Sequence, residues 1–244
     1  MISRYASVCS VLGLTAAPVV LAVPADVSPV EAAEGVVERV TPSAKGAVSF
    51  KLNPALQNRI TISGIPGSIR VEASDVRHLI AGYGWYLKNI AKVHLSWNGN
   101  RLALPSPLPA PARPVTIESP WKTVFAYNYC TLSYTTAFWD WKRWQQEIDF
   151  LALNGFTHAL VTAGLEKTWE DFLIGLGYPR DKAIRFIPNP AFAAWWNMGN
   201  LEGHGGPLSQ RQIDRMAQLG KRIVSRMAVS YTHLRAHETD QYLV

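Results

Sequence analysis

Apolar residues recur along this chain at two different periods, and the change from one to the other predicts its elements. Ser28-Pro29-Val30-Glu31 combines an N-cap, a proline at the first helical position and a capping-box glutamate. Val30, Ala33, Val37 and Val40 then recur at helical spacing and predict a first helix. Short runs at Val48–Leu52, Ile60–Ser63 and Ile69–Val71 read as strands, broken by Asn53-Pro54 and by Gly64-Ile65-Pro66-Gly67. Val76, Leu79, Ile80, Tyr83, Leu87 and Ile90 trace one face of a long helix. Its expected partner strand is Lys92–Trp97, ended by the turn Asn98-Gly99-Asn100. Gly82 and Gly84 lack the third glycine and the preceding strand of a dinucleotide fingerprint, so they read as helix-packing glycines.

The segment from Pro105 to Pro114 carries proline at alternate or near-alternate positions, a composition that favours extended polyproline structure and marks a boundary. Beyond it, strands and helices alternate. Thr123–Thr131 is a strand candidate ending in Asn128 and Cys130, with Ser133 just beyond. Asp140 is placed to cap a helix whose apolar face is Trp141, Trp144, Ile148, Leu151 and Ala152, and Asn154-Gly155 stops it. Phe156–Ala163 reads as a buried parallel strand, followed by Gly164-Leu165-Glu166 and a helix from Thr168 to about Leu176. A loop-rich insertion with Pro188, Pro190 and two adjacent tryptophans precedes a last helix, Gln212 to Met227. Repeated strand–helix units with short turns imply a parallel sheet with right-handed crossovers, whose site lies at the C-terminal strand ends.

Composition narrows the classes. The 244 residues are 48% hydrophobic and 17% charged, which fits a folded chain rather than a disordered one. The net charge of +6 is scattered, with no Lys/Arg run, so no nucleic-acid partner is expected. Arg4, the apolar stretch Val8–Val20 and the small residues Ala22 and Ala25 read as an export signal over residues 1–22, too short for a membrane span. Its removal takes Cys9 away and leaves Cys130 as the lone cysteine. Six of the nine tryptophans fall between Trp139 and Trp196, and indole faces suit sugar rings as well as cores.

The run Asn128-Tyr129-Cys130-Thr131-Leu132-Ser133-Tyr134, then Phe138-Trp139-Asp140-Trp141-Lys142-Arg143-Trp144 and Ala152-Leu153-Asn154-Gly155, resembles the start of the catalytic barrel in α-N-acetylglucosaminidases, glycoside hydrolase family 89. Pro190 to Leu201, with Trp195-Trp196-Asn197-Met198-Gly199-Asn200, and Gly206-Pro207-Leu208 are similar to the same family. The resemblance implies a small N-terminal α/β domain over 23–104, a Pro-rich linker over 105–114, and the first βα units of an incomplete (β/α)8 barrel over 115–227. It also implies a retaining hydrolase of terminal α-linked N-acetylglucosamine, acting on glycans without a cofactor. Asn128 and Cys130 map to the sugar pocket, and Trp195 and Met198 to another wall of it.

Glu166 is the carboxylate with a site-like position, and it either accepts bonds from sugar hydroxyls or caps the helix that follows. Glu147 and Asp149 are expected to face solvent or neighbouring helices. A retaining glycosidase needs two carboxyls about 5 Å apart, and no such catalytic pair is expected in this chain. From Ala228 onward the sequence looks like translated adapter DNA, so 228–244 is expected to be a non-native tail. His233 and His237 have the spacing of a zinc pair but lack a third ligand, and no metal site is expected. The alternatives are a non-catalytic sugar-binding protein, or another two-domain glycosidase such as a hexosaminidase or α-glucuronidase relative.

Overall fold

The computed structural model describes residues 27–201 and 206–230. The expected export signal, the histidine pair and most of the expected tail lie outside these residues. The first half is a four-stranded sheet with two helices packed on one face. Helix α1 (Pro29–Val40) starts at Ser28, whose hydroxyl accepts the Glu31 amide while the Glu31 side chain returns to the Ser28 amide. Strands β1 (Val48–Leu52), β2 (Arg59–Ile65), β3 (Ser68–Ala73) and β4 (Val115–Glu118) lie in the order β1-β3-β2-β4. β1 runs parallel to β3, while β2 is antiparallel to both β3 and β4.

Alternation decides which face is covered. Val48, Phe50, Ile60, Ile62, Ile69, Val71 and Ala73 are buried under the helices. Helix α2 (Val76–Asn89), capped by Asp75, crosses this face. A Cβ on Gly82 would lie 2.5 Å from Ile60 Cγ2 and 2.8 Å from Val71 Cγ1, so glycine sets how closely α2 meets the sheet. Gly84 does the same on the other side, where a Cβ would come 1.9 Å from the Leu153 carbonyl oxygen. Gly84→Ala is therefore expected to cost about 2–3 kcal/mol by overpacking, read as a lower urea midpoint at unchanged m-value.

Three expectations about this half change. Lys92–Trp97 is not a strand. Lys92 takes a left-handed φ of 58° and His94 bridges only Arg101, so the run forms a local loop. The fourth strand is instead Val115–Glu118, beyond the Pro-rich segment, pairing Ile62 with Val115 through Arg59 with Glu118. The sheet thus draws its edge from residues placed by sequence in the second unit, beyond the 105–114 boundary. The Pro-rich segment is also no free linker. Leu108 is buried and its carbonyl accepts the Gly67 amide at 2.9 Å, while Tyr86 Oη donates to the Pro109 carbonyl at 3.0 Å.

The second half begins with β5 (Phe125–Ala126) and β6 (His158–Ala159), a parallel pair in register Phe125↔His158 and Ala126↔Ala159. Both are shorter than the apolar runs suggested. Between them lie a single helical turn, α3 (Tyr129–Thr131), a π-helical turn (Leu132–Thr136) and helix α4 (Trp141–Leu153). Asp140 caps α4 through the Arg143 amide at 2.9 Å, and Gly155 ends it at φ 76°. After β6 come α5 (Leu165–Gly175), α6 (Arg180–Phe186), α7 (Pro190–Asn197) and α8 (Gln210–Ser230). The expected loop-rich insertion therefore holds two helices, because Asn189 caps α7 and Pro190 occupies its first turn. α8 continues through Ser230, three residues into the stretch expected to be non-native.

The two halves share one core, running from Ala32 and Val36 of α1 through Tyr83 and Tyr86 of α2 to Ile148 of α4 and Ile223 and Met227 of α8. One buried charge cluster crosses it. Asp149 on α4 receives Arg39 Nε at 2.9 Å and Nη2 at 2.8 Å from α1, and Arg226 Nη2 at 3.2 Å from α8. No helix among the described residues is long and apolar enough to cross a membrane.

Candidate functional site

The C-terminal ends of β5 and β6 point to the same side, and the chain chemistry gathers there. Tyr127 leaves β5 with φ 75°, a left-handed turn that takes Asn128 out of the strand. Asn128 then caps α3: its Oδ1 accepts the Thr131 amide at 3.1 Å, and Thr131 Oγ1 accepts the Asn128 amide at 3.2 Å. Exposed Asn128 borders a cavity of about 660 Å3 lined by Trp97, Tyr127, Thr131, Trp139, Arg143 and Glu147.

Glu147 anchors that cavity. Its Oε1 accepts Trp97 Nε1 at 3.0 Å and the Tyr127 hydroxyl, and its Oε2 accepts Arg143 Nη2 at 2.9 Å. Arg143 lies 3.8 Å over the Trp139 ring. Glu147 is therefore a buried, fully bonded brace and not a solvent-facing residue, since three side chains from three segments bond to it. Asp149 does face neighbouring helices, through the arginines of α1 and α8.

Helix α7 is held to the segment after Asn128 by one hydroxyl. Ser133 Oγ donates to the Pro190 carbonyl at 2.8 Å and accepts the Ala194 amide at 3.0 Å. This pins the π-helical turn to the start of α7. Trp195 meets exposed Tyr134 edge-on at 4.9 Å, and exposed Met198 forms the C-cap of α7. Trp196, one residue on, turns to another side and packs on Trp169 at 4.7 Å and Phe186 at 5.3 Å. Cys130 is a free, half-buried thiol on α3.

Of the five residues proposed from sequence, four lie on two helical segments in contact: Asn128 and Cys130 at α3, Trp195 and Met198 at α7. Cys130, Trp195 and Met198 do not line the cavity beside Asn128. Glu166 stands apart from all four. It is 3% exposed in the first turn of α5, with Oε2 accepting the Gly164 amide at 3.2 Å, as the helix-capping reading expects. Burial pushes its carboxyl up to about 7 against the pull of the backbone bonds at Glu166 and Gly164. Tyr134, which meets Trp195 in the fold, is not among the five, although it stands four residues after Cys130. No group of three or more His, Cys, Asp or Glu side chains among the described residues could hold a metal ion.

Two family models match the chain: the α-N-acetylglucosaminidase N-terminal domain over residues 31–110 and its TIM-barrel domain over residues 124–230. The chain belongs to the α-N-acetylglucosaminidase family. It is 36% identical to the human α-N-acetylglucosaminidase over 174 residues, covering 71% of this chain and 23% of that protein. The fold matches the family 89 glycoside hydrolase of Clostridium perfringens with a TM-score of 0.78 and 29% identity, over 83% of this chain and 24% of that one. That enzyme is solved as a double glutamate-to-glutamine variant with its substrate GlcNAc-α-1,4-galactose, and also in complex with PUGNAc. The chain spans about a quarter of the length of these relatives. The match over both halves sets aside a hexosaminidase or α-glucuronidase relative, and the barrel present here is partial.

Proposed function

We propose that the chain supplies the sugar-recognising wall of an exported, retaining α-N-acetylglucosaminidase that removes terminal α-linked N-acetylglucosamine from glycans. The observation that carries this is the Ser133 stitch. It joins the segment bearing Asn128, Cys130 and Tyr134 to the helix bearing Trp195 and Met198, at the C-terminal end of β5 where barrels place their chemistry. An asparagine amide can bond two sugar hydroxyls at once, an indole face suits the apolar side of a pyranose, and methionine fills irregular space beside an acetyl group. The likeness to an enzyme crystallised with a GlcNAc-α-linked disaccharide supports that sugar as the ligand. Export rests on the pattern of Arg4, Val8–Val20 and Ala22.

Recognition is the part of the reaction these residues serve. Double displacement needs an acid/base carboxyl and a nucleophilic one about 5 Å apart across the glycosidic bond. Glu147, Asp149 and Glu170 are each engaged by arginine or lysine, and Glu166 is sealed under α7. The 244-residue chain is accordingly expected to bind N-acetylglucosamine without releasing it from an α-glycoside. Trp195→Ala is expected to weaken that binding roughly tenfold through loss of the stacking face, with Trp97→Ala in the neighbouring cavity leaving it within about twofold. Equal effects of the two substitutions, measured by calorimetric titration, overturn the assignment.

A further inference from the structure

We infer that Glu166 is a proton-sensitive brace behind the sugar wall, a positioning residue whose neutral carboxyl joins the turn after β6 to α7 through one ordered water. For what α7 carries, this rests on the sugar-binding reading; for how Glu166 holds it, on geometry alone.

One oxygen of the Glu166 carboxyl has a backbone partner, but Oε1 is fully buried and makes no hydrogen bond within the described residues. It borders a void of about 10 Å3 whose lining includes Thr162, Trp169, Ala193, Trp196 and Asn197. That volume is about one water-sized probe, enough for a single molecule bonded to polar neighbours. Besides Glu166 itself, the polar side chains in the lining are the Thr162 hydroxyl, the Trp169 and Trp196 indoles and the Asn197 amide. Asn197 Oδ1 already accepts Trp169 Nε1 at 3.0 Å, which fixes the amide and leaves its other bonding capacity for a water. A protonated carboxyl can donate into such a site, whereas a carboxylate there is a buried charge with no cation among the described lining residues to offset it.

The brace reaches the sugar wall because α7 is one short helix with two working faces. Ala193, Trp196 and Asn197 border the void, while Trp195 meets Tyr134 and Met198 follows at the helix end. No other titratable group among the described residues lines the void. α7 brings only Ala193, Trp196 and Asn197, the π-helical turn brings Leu132, the α6–α7 link Ile187 and Pro188, and the turn after β6 Thr162. The charged neighbours on α5 are engaged elsewhere, Lys167 with Glu170 and Asp171, and Glu170 also with Arg180. Burial already holds the Glu166 carboxyl near neutrality, so its proton leaves within an accessible range.

The test uses the whole chain and no sugar. Tryptophan emission is followed between about pH 5 and 9 in wild type, Glu166→Gln and Glu166→Ala, since Trp169 and Trp196 line the void. Wild type is expected to show a transition near pH 7 that both variants lack. Amide exchange of 193–197, corrected for its intrinsic pH dependence, is expected to quicken about threefold or more across the same range in wild type only. A transition that persists in Glu166→Gln, or a flat wild-type profile, overturns the brace. Because neither readout involves sugar, a flat profile with intact N-acetylglucosamine binding sinks the brace alone. A clear transition with no sugar binding leaves the brace standing and sinks the sugar-binding reading.

Discussion

Asp149→Ala is expected to lower the unfolding free energy by about 3–5 kcal/mol, a large share of what a domain of this size possesses. Asp149 is 3% exposed, and its carboxylate takes three hydrogen bonds from Arg39 and Arg226. Burial pushes its carboxyl up to about 6 against the pull of Arg39, so it remains ionised at neutral pH. Removing it leaves two guanidiniums at the junction of α1, α4 and α8 with no anion between them. Arg226 Nε is already without a bond among the described residues, so the loss falls on a site with nothing in reserve. The check is a urea unfolding series with Arg226→Ala alongside. If Asp149→Ala costs less than about 1 kcal/mol, the cluster does not hold the two halves together.

The second large effect is a change in how stability depends on pH. Glu166 has a folded-state value raised from 4.5 to about 7, so the folded chain holds this proton more tightly than the unfolded one. The sign follows by linkage: stability falls as pH rises from about 4.5 to about 7, and the loss is complete above that. At about 1.4 kcal/mol per pH unit, the interval corresponds to roughly 3 kcal/mol. The difference in stability between Glu166→Gln and wild type should therefore shift by about that much in favour of the variant between pH 4 and pH 8. Every other titrating group cancels in the difference. A pH-independent difference would show that Glu166 titrates normally in the folded chain.

Much of this architecture was legible where a local signal and the tertiary demand agreed. Ser28 and Glu31 at α1, Asp140 at α4 and Gly155 after it mark helix ends through backbone bonds made within a few residues. The parallel pairing of β5 and β6 followed from apolar runs around a capped helix, but their length did not. Tyr127 leaves β5 in a left-handed turn, and no residue pattern announces that. Pro188 and Pro190 read as breakers of structure, yet Pro190 stands where a helix start tolerates proline. The edge strand Val115–Glu118 was hidden because its partner, β2, lies across the Pro-rich segment and its own alternation is only four residues long.

For the site, the proposal of Asn128, Cys130, Trp195 and Met198 comes from family resemblance and not from spacing, since α3 and α7 meet only in the fold. Glu147 was misjudged for the same reason. Trp97 and Tyr127, which bury it, are 50 and 20 residues away. Glu166 could be placed at a strand end but not on a side of the wall. That required α7, which turns Trp195 toward Tyr134 and Trp196 toward Trp169.

The central claim is that the α3–α7 wall recognises N-acetylglucosamine. It is tested most directly by an NMR titration of the chain with methyl α-N-acetylglucosaminide, using methyl α-glucoside as the control. The account predicts saturable shifts at the Asn128 and Cys130 amides and the Trp195 indole, with little response to the glucoside. Shifts confined to Trp97, Trp139 and Arg143, or equal responses to both sugars, would contradict it.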